Sequence, residues 1–234
     1  SVKNAVDIAK EAASLVLLEK NMDVIRDGII EGRKTFMNTL KYIYVTTSAN
    51  FGNMVSMAAA SLFLPFLPLL PVQILLNNFL SDLPALAIAY DKVDEELIAK
   101  PRKWDIRYIR RFMFVFGLQS SLFDLLTFIL LIFVFHVTPE TFRSAWFMES
   151  LLTEILILLV IRTQRPLVKS KPSGVLLIAA GLTLCITFIL PHLTLAKAFE
   201  LAPLPGNLLF IVTAVALIYV IAGEIAKRHF MQRL

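Results

Sequence analysis

The chain has 234 residues, of which 57% are hydrophobic, and its formal net charge at pH 7 is +5. Soluble domains are about 45–50% apolar, so the composition indicates a membrane protein and argues against an ordinary soluble enzyme. A single cysteine excludes a disulfide bond within the chain.

The first 42 residues mix charged and apolar side chains, unlike the rest of the chain. The start lacks the basic-then-apolar pattern of a signal peptide and an initiator methionine, so we expect a piece of a longer chain. From residue 22 to 42 the apolar residues recur at helical spacing. This predicts an amphipathic stalk helix that could break near Gly32 and that continues into the membrane. The alternative is a helix lying on the membrane surface.

Six segments are apolar over roughly the 20 residues that a membrane span needs. They cover about 43–65, 72–90, 112–136, 145–163, 174–193 and 207–226. Of the 23 Lys and Arg residues, 21 fall on the same side of these spans, which predicts that both termini are cytoplasmic. The same bias explains the net charge without a nucleic-acid partner. Trp104 and Trp146 are predicted to anchor spans at the membrane interface.

The first two predicted spans carry polar side chains that share helical faces. One set lies at i and i+3, and the other at i, i+3 and i+4. Pro84 follows the second set and would kink or unwind its helix, which would free backbone carbonyls nearby. The polar residues are Asn50 and Asn53 in the first span, and Asn78, Ser81 and Asp82 in the second.

These side chains offer a carboxylate, amide oxygens and a hydroxyl, which are hard ligands suited to Mg²⁺ or Ca²⁺. The alternative is that the amides and the hydroxyl join helices by hydrogen bonds while Asp82 is protonated. Glu154 in the fourth span would complete an ion site if its helix packs against the first two. Asp124 and Glu149 are expected to be structural. The sequence contains no glycine-rich phosphate loop or nucleophile–base pair, so we predict no catalytic residue.

Several stretches resemble P-type ATPases in the order in which that family has them. VDIAKEAASLVLLEKNMDVIRDGIIEGRKTF resembles the end of the phosphorylation domain, and TTSANFGNMVS resembles the ion-binding turn of the fifth membrane helix. PVQILLNNFLSDLPALAIAYDKVDEE resembles the sixth helix, and SAWFMESLLTEILILLVIRTQRP continues the match. The resemblance covers essentially the whole chain and is closer to the magnesium-transporting (P3B) branch than to the calcium or proton pumps.

The resemblance implies an all-α membrane protein with a bundle like the family's fifth to tenth helices. Residues 1–21 would end the cytoplasmic phosphorylation domain, 22–42 would form the stalk helix, and 43–234 would form the six-helix transmembrane domain. It also implies that ions are coordinated by Asn50, Asn53, Asn78, Ser81 and Asp82, with Glu154 where calcium pumps have a further ligand. Calcium pumps carry a glutamate at the position of Asn53, and fewer carboxylates suit Mg²⁺.

The implied function of the full-length protein is ATP-driven Mg²⁺ import across the plasma membrane, with Mg²⁺ also accompanying ATP. The expected partners are the transported cation, the lipid bilayer, and the upstream ATPase domains and first four helices of the same protein. This stretch alone should be inactive. Alternatives are a Ca²⁺- or H⁺-transporting P-type ATPase, a passive channel or secondary carrier, and a non-catalytic membrane fragment.

Overall fold

The computed structural model describes residues 2–18, 21 and 23–231, and in this part of the chain the regular structure is helical. An isolated bridge between Val2 and Leu17 is the one β-type pairing among these residues. The α-helices are α1 (Asp7–Glu11), α2 (Asp23–Phe63), α3 (Pro71–Ala87), α4 (Glu95–Ile98), α5 (Ile106–Ile129), α6 (Pro139–Ile161), α7 (Gly174–Ile189) and α8 (Gly206–Met231). The predicted all-α class is confirmed.

Short helical turns extend or connect several of these helices. A 3₁₀ turn at Ile88–Tyr90 follows α3, and a π-helical turn at Leu130–Val134 follows α5. Three more 3₁₀ turns lie at Leu167–Lys169, Leu190–His192 and Thr194–Phe199.

Side-chain caps fix where three of the long helices begin. The Asp105 carboxylate accepts hydrogen bonds from the backbone N–H groups of the first turn of α5, at 2.9 and 3.1 Å. Thr138 caps α6 and is followed by Pro139, whose fixed φ suits the first helical position. Ser173 caps α7 through the backbone N–H of Leu176 at 3.2 Å. Such caps satisfy N–H groups that have no partner inside the helix.

Helix α2 is one continuous helix of 41 residues, about 60 Å long at the α-helical rise of 1.5 Å per residue. It includes most of the predicted stalk and most of the first predicted span, and it does not break at Gly32. A single glycine inside a helix costs only about 1 kcal/mol, which the long helix on either side outweighs. The domain boundaries remain a prediction.

Five helices of the described chain are long and apolar enough to cross a membrane. They are Pro71–Tyr90, Ile106–Val134, Pro139–Ile161, Gly174–His192 and Gly206–Phe230. Helix α2 does not meet the same criterion, because threonines, serines and asparagines interrupt its second half. The expected count of six spans is therefore not confirmed.

Helix α6 is the central helix of the bundle. In its most apolar 18-residue window 89% of the residues are buried, against 33–44% for the other four membrane-length helices. Trp146 on α6 is 1% exposed and packs edge-on against Phe128. The interpretation of Trp146 as an interface anchor is therefore wrong. Its ring lies in the core because α6 is surrounded by other helices.

Two glycines bring α2 and α5 into close contact. A Cβ at Gly52 would lie 2.9 Å from the Ser120 Cβ, and a Cβ at Gly117 would lie 2.7 Å from a ring carbon of Phe51. Ser121 donates a hydrogen bond across the same contact to the Gly52 carbonyl, at 2.9 Å. Because a larger residue would push the helices apart, this contact fixes the position of the polar turn of α2.

A buried ion cluster joins α2 to the ends of α3 and α6. The Asp91 carboxylate, which is inaccessible to solvent, accepts hydrogen bonds from Lys41 Nζ at 3.0 Å and from Arg162 Nη1 at 2.9 Å. The backbone N–H of Ser173 also donates to it, at 3.1 Å. Burial lowers the pKa of Lys41, an effect that the nearby Asp91 carboxylate opposes.

Candidate functional site

The Glu154 carboxylate is the centre of a polar group inside the bundle. Its Oε1 accepts hydrogen bonds from Asn53 Nδ2 at 2.6 Å, Ser150 Oγ at 3.3 Å and Asn77 Nδ2 at 3.4 Å. These donors come from α2, α6 and α3 respectively, so three helices meet at one oxygen atom. A hydrogen bond to a charged acceptor is stronger than one between neutral groups, so this carboxylate holds the three helices in register.

The three helices also line a partly open cavity of about 150 Å³. Liquid water takes up roughly 30 Å³ per molecule, so the cavity has room for a small cation with several waters. Its walls combine oxygen-bearing side chains with the apolar Val45, Ala49, Ala85 and Leu158. The oxygen-bearing residues are Thr46, Asn50, Asn78, Ser81, Asp82 and Glu154.

Five of the six predicted site residues line this one cavity, and the sixth lies beside it. Asn53 is not a wall residue, but its amide donates to Glu154, and its Oδ1 accepts a hydrogen bond from Ser150 Oγ at 3.5 Å. Asn50 and Asp82 are exposed in this chain, whereas Glu154 is partly buried. The packing of the fourth predicted span against the first two therefore brings Glu154 and Asp82 to one space.

The expected unwinding at Pro84 is wrong. Helix α3 is continuous from Pro71 to Ala87 with Pro84 inside it. Pro84 has no N–H to give to the Leu80 carbonyl four residues earlier. The Thr183 hydroxyl on α7 lies 3.5 Å from that carbonyl and also donates to the Ala179 carbonyl of its own helix, at 3.0 Å. A neighbouring helix thus offers the Leu80 carbonyl a shared donor, and that carbonyl faces α7 rather than the cavity.

Sequence reasoning missed Asn77 and Ser150. Asn77 is 2% exposed, and its Oδ1 has no hydrogen-bond partner in the part of the chain that the structure describes. Ser150 lies four residues before Glu154, a spacing that puts both on one face and could have identified it. Asn77 likewise lies four residues before Ser81 on α3, so the same spacing could have identified it.

A second acidic group lies apart from the cavity. Asp124 on α5 accepts hydrogen bonds from Ser56 Oγ on α2 at 2.5 Å and from Trp146 Nε1 on α6 at 3.2 Å. Glu149 on α6 is fully buried beside it. Asp124 therefore joins three helices, as its predicted structural role requires.

The acids do not form a dense metal cluster. No group of three or more His, Cys, Asp or Glu side chains that could hold a metal ion occurs among the described residues. At the cavity the ionisable ligands are two carboxylates, Asp82 and Glu154, with amide and hydroxyl oxygens around them. Such a set could hold a hard cation that keeps part of its water shell.

The sequence model of the family described as "Cation transporting ATPase, C-terminus" matches residues 66–229. The chain belongs to this family. The predicted resemblance to the C-terminal membrane region of P-type ATPases is thereby confirmed.

Curated relatives agree with the family assignment. "Magnesium-transporting ATPase, P-type 1" of Escherichia coli strain K12 is 44% identical over 238 aligned positions, which cover all of this chain and 26% of the relative. A Salmonella typhimurium protein of the same name is 40% identical with the same coverage. The "Calcium-transporting ATPase" of Bacillus subtilis is 35% identical over 143 positions, which cover 59% of this chain and 16% of the relative. The chain thus spans about a quarter of the length of the magnesium-transporting relatives.

Proposed function

We propose that this chain is the ion-binding membrane part of a P-type ATPase that imports Mg²⁺ across the plasma membrane. In this proposal the cation is held by Asn50, Asn53, Asn78, Ser81, Asp82 and Glu154. Both ends of the chain lie on the cytoplasmic side, in agreement with the one-sided distribution of Lys and Arg.

The cavity between α2, α3 and α6 is the observation that carries the proposal. It brings together oxygen ligands from three helices that are far apart in sequence, with one carboxylate on α3 and one on α6. Mg²⁺ is bound through one or two carboxylates while it keeps several waters. Two carboxylates with amide and hydroxyl oxygens around a water-sized space fit that requirement.

The long helix α2 supports a mechanism for coupling the site to ATP. In the full-length protein, ATP with its Mg²⁺ phosphorylates an aspartate in the upstream domains, and the resulting movement reaches the first residues of α2. Because α2 is unbroken from Asp23 to Phe63, a rotation or shift at its start moves Asn53 relative to Glu154. The site then changes affinity and access together, as coupling between two distant sites requires.

The names of the relatives favour Mg²⁺ over the alternatives. The magnesium-transporting relatives match all of this chain, whereas the calcium-transporting one matches 59% of it. A Ca²⁺ or H⁺ pump remains the nearest alternative. A passive channel or secondary carrier is disfavoured by the family assignment, since such a protein needs no ATPase domains.

Uptake of Mg²⁺ by magnesium-starved cells that produce the full-length protein tests the proposal. We expect Asp82→Asn to reduce uptake by more than about tenfold, since even residues that only orient metal ligands cost 10–100-fold in affinity. Glu95→Gln, an exposed acid at the start of α4, is the matched control and should transport normally. If Asp82→Asn is inserted and transports like the wild type, Asp82 is not an ion ligand. Uptake of Ca²⁺ instead of Mg²⁺ would assign the protein to the calcium pumps.

A further inference from the structure

The acids Asp124 and Glu149 form a carboxyl pair deep inside the bundle. The two residues are 1% and 0% exposed, and Trp146, which donates a hydrogen bond to Asp124, lies one turn before Glu149 on α6. Both oxygens of Asp124 accept hydrogen bonds, one from Ser56 and the other from Trp146. The Glu149 oxygens have no hydrogen-bond partner among the described residues.

The charge on this pair has no basic partner. None of the ion pairs among the described residues includes either acid. The ionisable groups in electrostatic reach from the packed helices are Glu154 on α6 and Tyr219 on α8, and neither is basic. An ionised carboxylate can only accept hydrogen bonds, so a buried carboxylate without a donor is strongly destabilised relative to its protonated form. Two carboxylates sharing a buried site do not both ionise.

We propose that Asp124 and Glu149 form an intramembrane proton-binding site, in which the Glu149 carboxyl carries the proton. The assignment of the proton to Glu149 follows from the contacts. Asp124 accepts hydrogen bonds from two donors, which stabilise its ionised form, whereas Glu149 has no donor among the described residues. The aspartate is thus the ionised member of the pair and the glutamic acid holds the proton.

This proton site is linked to the candidate cation site through two helices. On α2, Asn53 bonds Glu154 while Ser56, one turn away, bonds Asp124. On α6, Glu149 and Glu154 are five residues apart, about 7.5 Å along the helix, and the charge of Glu154 acts on Glu149.

The linkage rests on the proposed function. A divalent cation bound at Glu154 would disfavour a proton nearby, because like charges repel in a medium of low dielectric constant. The O–H bond of Glu149 would then break and its proton would pass to water, leaving a second carboxylate to offset part of the cation's charge. Cation binding would thereby be exchanged against a proton.

Infrared spectroscopy of the full-length protein in membranes tests the proton site without any cation. A protonated carboxyl has a C=O absorption separate from that of a carboxylate and shifts in D₂O. We expect the wild type to show such a band that Glu149→Gln removes. Asp124→Asn should keep the band or shift its frequency, because the proton stays on Glu149, and Glu140→Gln, an exposed acid in the first turn of α6, should leave it unchanged. A band of equal size in the wild type and Glu149→Gln would overturn the proposal.

Proton release on cation addition tests the linkage. In weakly buffered solution with a pH indicator, Mg²⁺ should displace protons from the wild type, and Glu149→Gln should release up to one fewer per bound ion. Equal release from both proteins at equal Mg²⁺ binding would overturn the linkage. If the wild type binds no Mg²⁺ but shows the infrared band, the proposed function fails while the proton site stands.

Discussion

Replacing Asp91 with alanine should be among the most destabilising changes in this chain. Its carboxylate is the common acceptor for Lys41 and Arg162, whose side chains are 4% and 0% exposed. The cluster lies just beyond the ends of the membrane-length helices. Its charged groups are therefore hydrated in the unfolded state, and folding removes them from water. Removing the shared anion leaves two buried cations facing one another without compensation.

The magnitude follows from the interactions that the Asp91 carboxylate makes. Breaking a buried ion pair by removing one partner costs about 3–5 kcal/mol, and here one carboxylate serves two cations and the Ser173 N–H. Arg162 and Lys41 keep their carbonyl acceptors at Ser170 and Lys92, which limits the destabilisation. We expect Asp91→Ala to lower the free energy of unfolding by about 3–5 kcal/mol. This is a large part of the roughly 5–15 kcal/mol by which folded proteins are stable.

Denaturant or thermal unfolding of the purified full-length protein in detergent measures this cost. Asp91→Asn keeps an acceptor oxygen but loses the charge, so its effect should lie between those of the wild type and Asp91→Ala. Glu95→Ala, an exposed acid nearby, controls for the loss of a negative charge and should change stability by less than about 0.5 kcal/mol. If the free energy of unfolding of Asp91→Ala is within about 1 kcal/mol of the wild-type value, the cluster does not hold α2 to the ends of α3 and α6.

Three other features of the bundle give further predictions. Gly52→Ala should destabilise the packing of α2 against α5 and lower cation affinity in a binding assay. Gly181→Ala, where nothing lies within 4 Å of the new Cβ, should not destabilise the protein, since alanine is the better helix former; equal destabilisation by both would refute the close-contact explanation. Ser150→Ala should weaken Mg²⁺ binding by about 10–100-fold, because the Glu154 carboxylate loses a hydrogen bond that orients it. Unchanged Mg²⁺ affinity would show that Ser150 does not orient Glu154. Because burial lowers the pKa of Lys41, the folded state binds fewer protons than the unfolded state between that lowered pKa and the ordinary one. The free energy of unfolding should therefore rise with pH through this window, and Lys41→Met should lack the rise. Lys41→Met should also lower the free energy of unfolding by less than Arg162→Met does. A larger loss for Lys41→Met than for Arg162→Met would contradict the argument.

The candidate residues that sequence could group correctly are those that share a face of one helix. Asn78, Ser81 and Asp82 have i, i+3 and i+4 spacing, which needs no knowledge of neighbouring helices. The structure places all three on the cavity with Asn50. Membrane class and helix type were equally accessible, since they depend on composition and apolar periodicity.

What sequence could not supply is how helices meet. Trp146 resembles an interface anchor by type, but α6 is surrounded, so the ring lies in the core beside Asp124. Pro84 predicts a kinked or unwound turn from local rules, but α3 continues through it, and the carbonyl that lost its donor faces Thr183 on another helix. Asn77 reaches Glu154 only because α3 packs on α6. Each error concerns a partner more than 20 positions away in sequence, where periodicity carries no information.

The central position of α6 explains why acids outside the predicted ligand set matter. A carboxylate on a lipid-facing helix end can remain hydrated, but one on a buried helix must be satisfied by neighbours or by a proton. Glu154 is satisfied by donors from α2, α3 and α6, and it lines a cavity where a cation can add to them. Glu149, about one and a half turns away, is fully buried and has no hydrogen-bond partner among the described residues. In the two proposals the same helix therefore carries one acid for a metal ion and another for a proton, and the charge of each acts on the other.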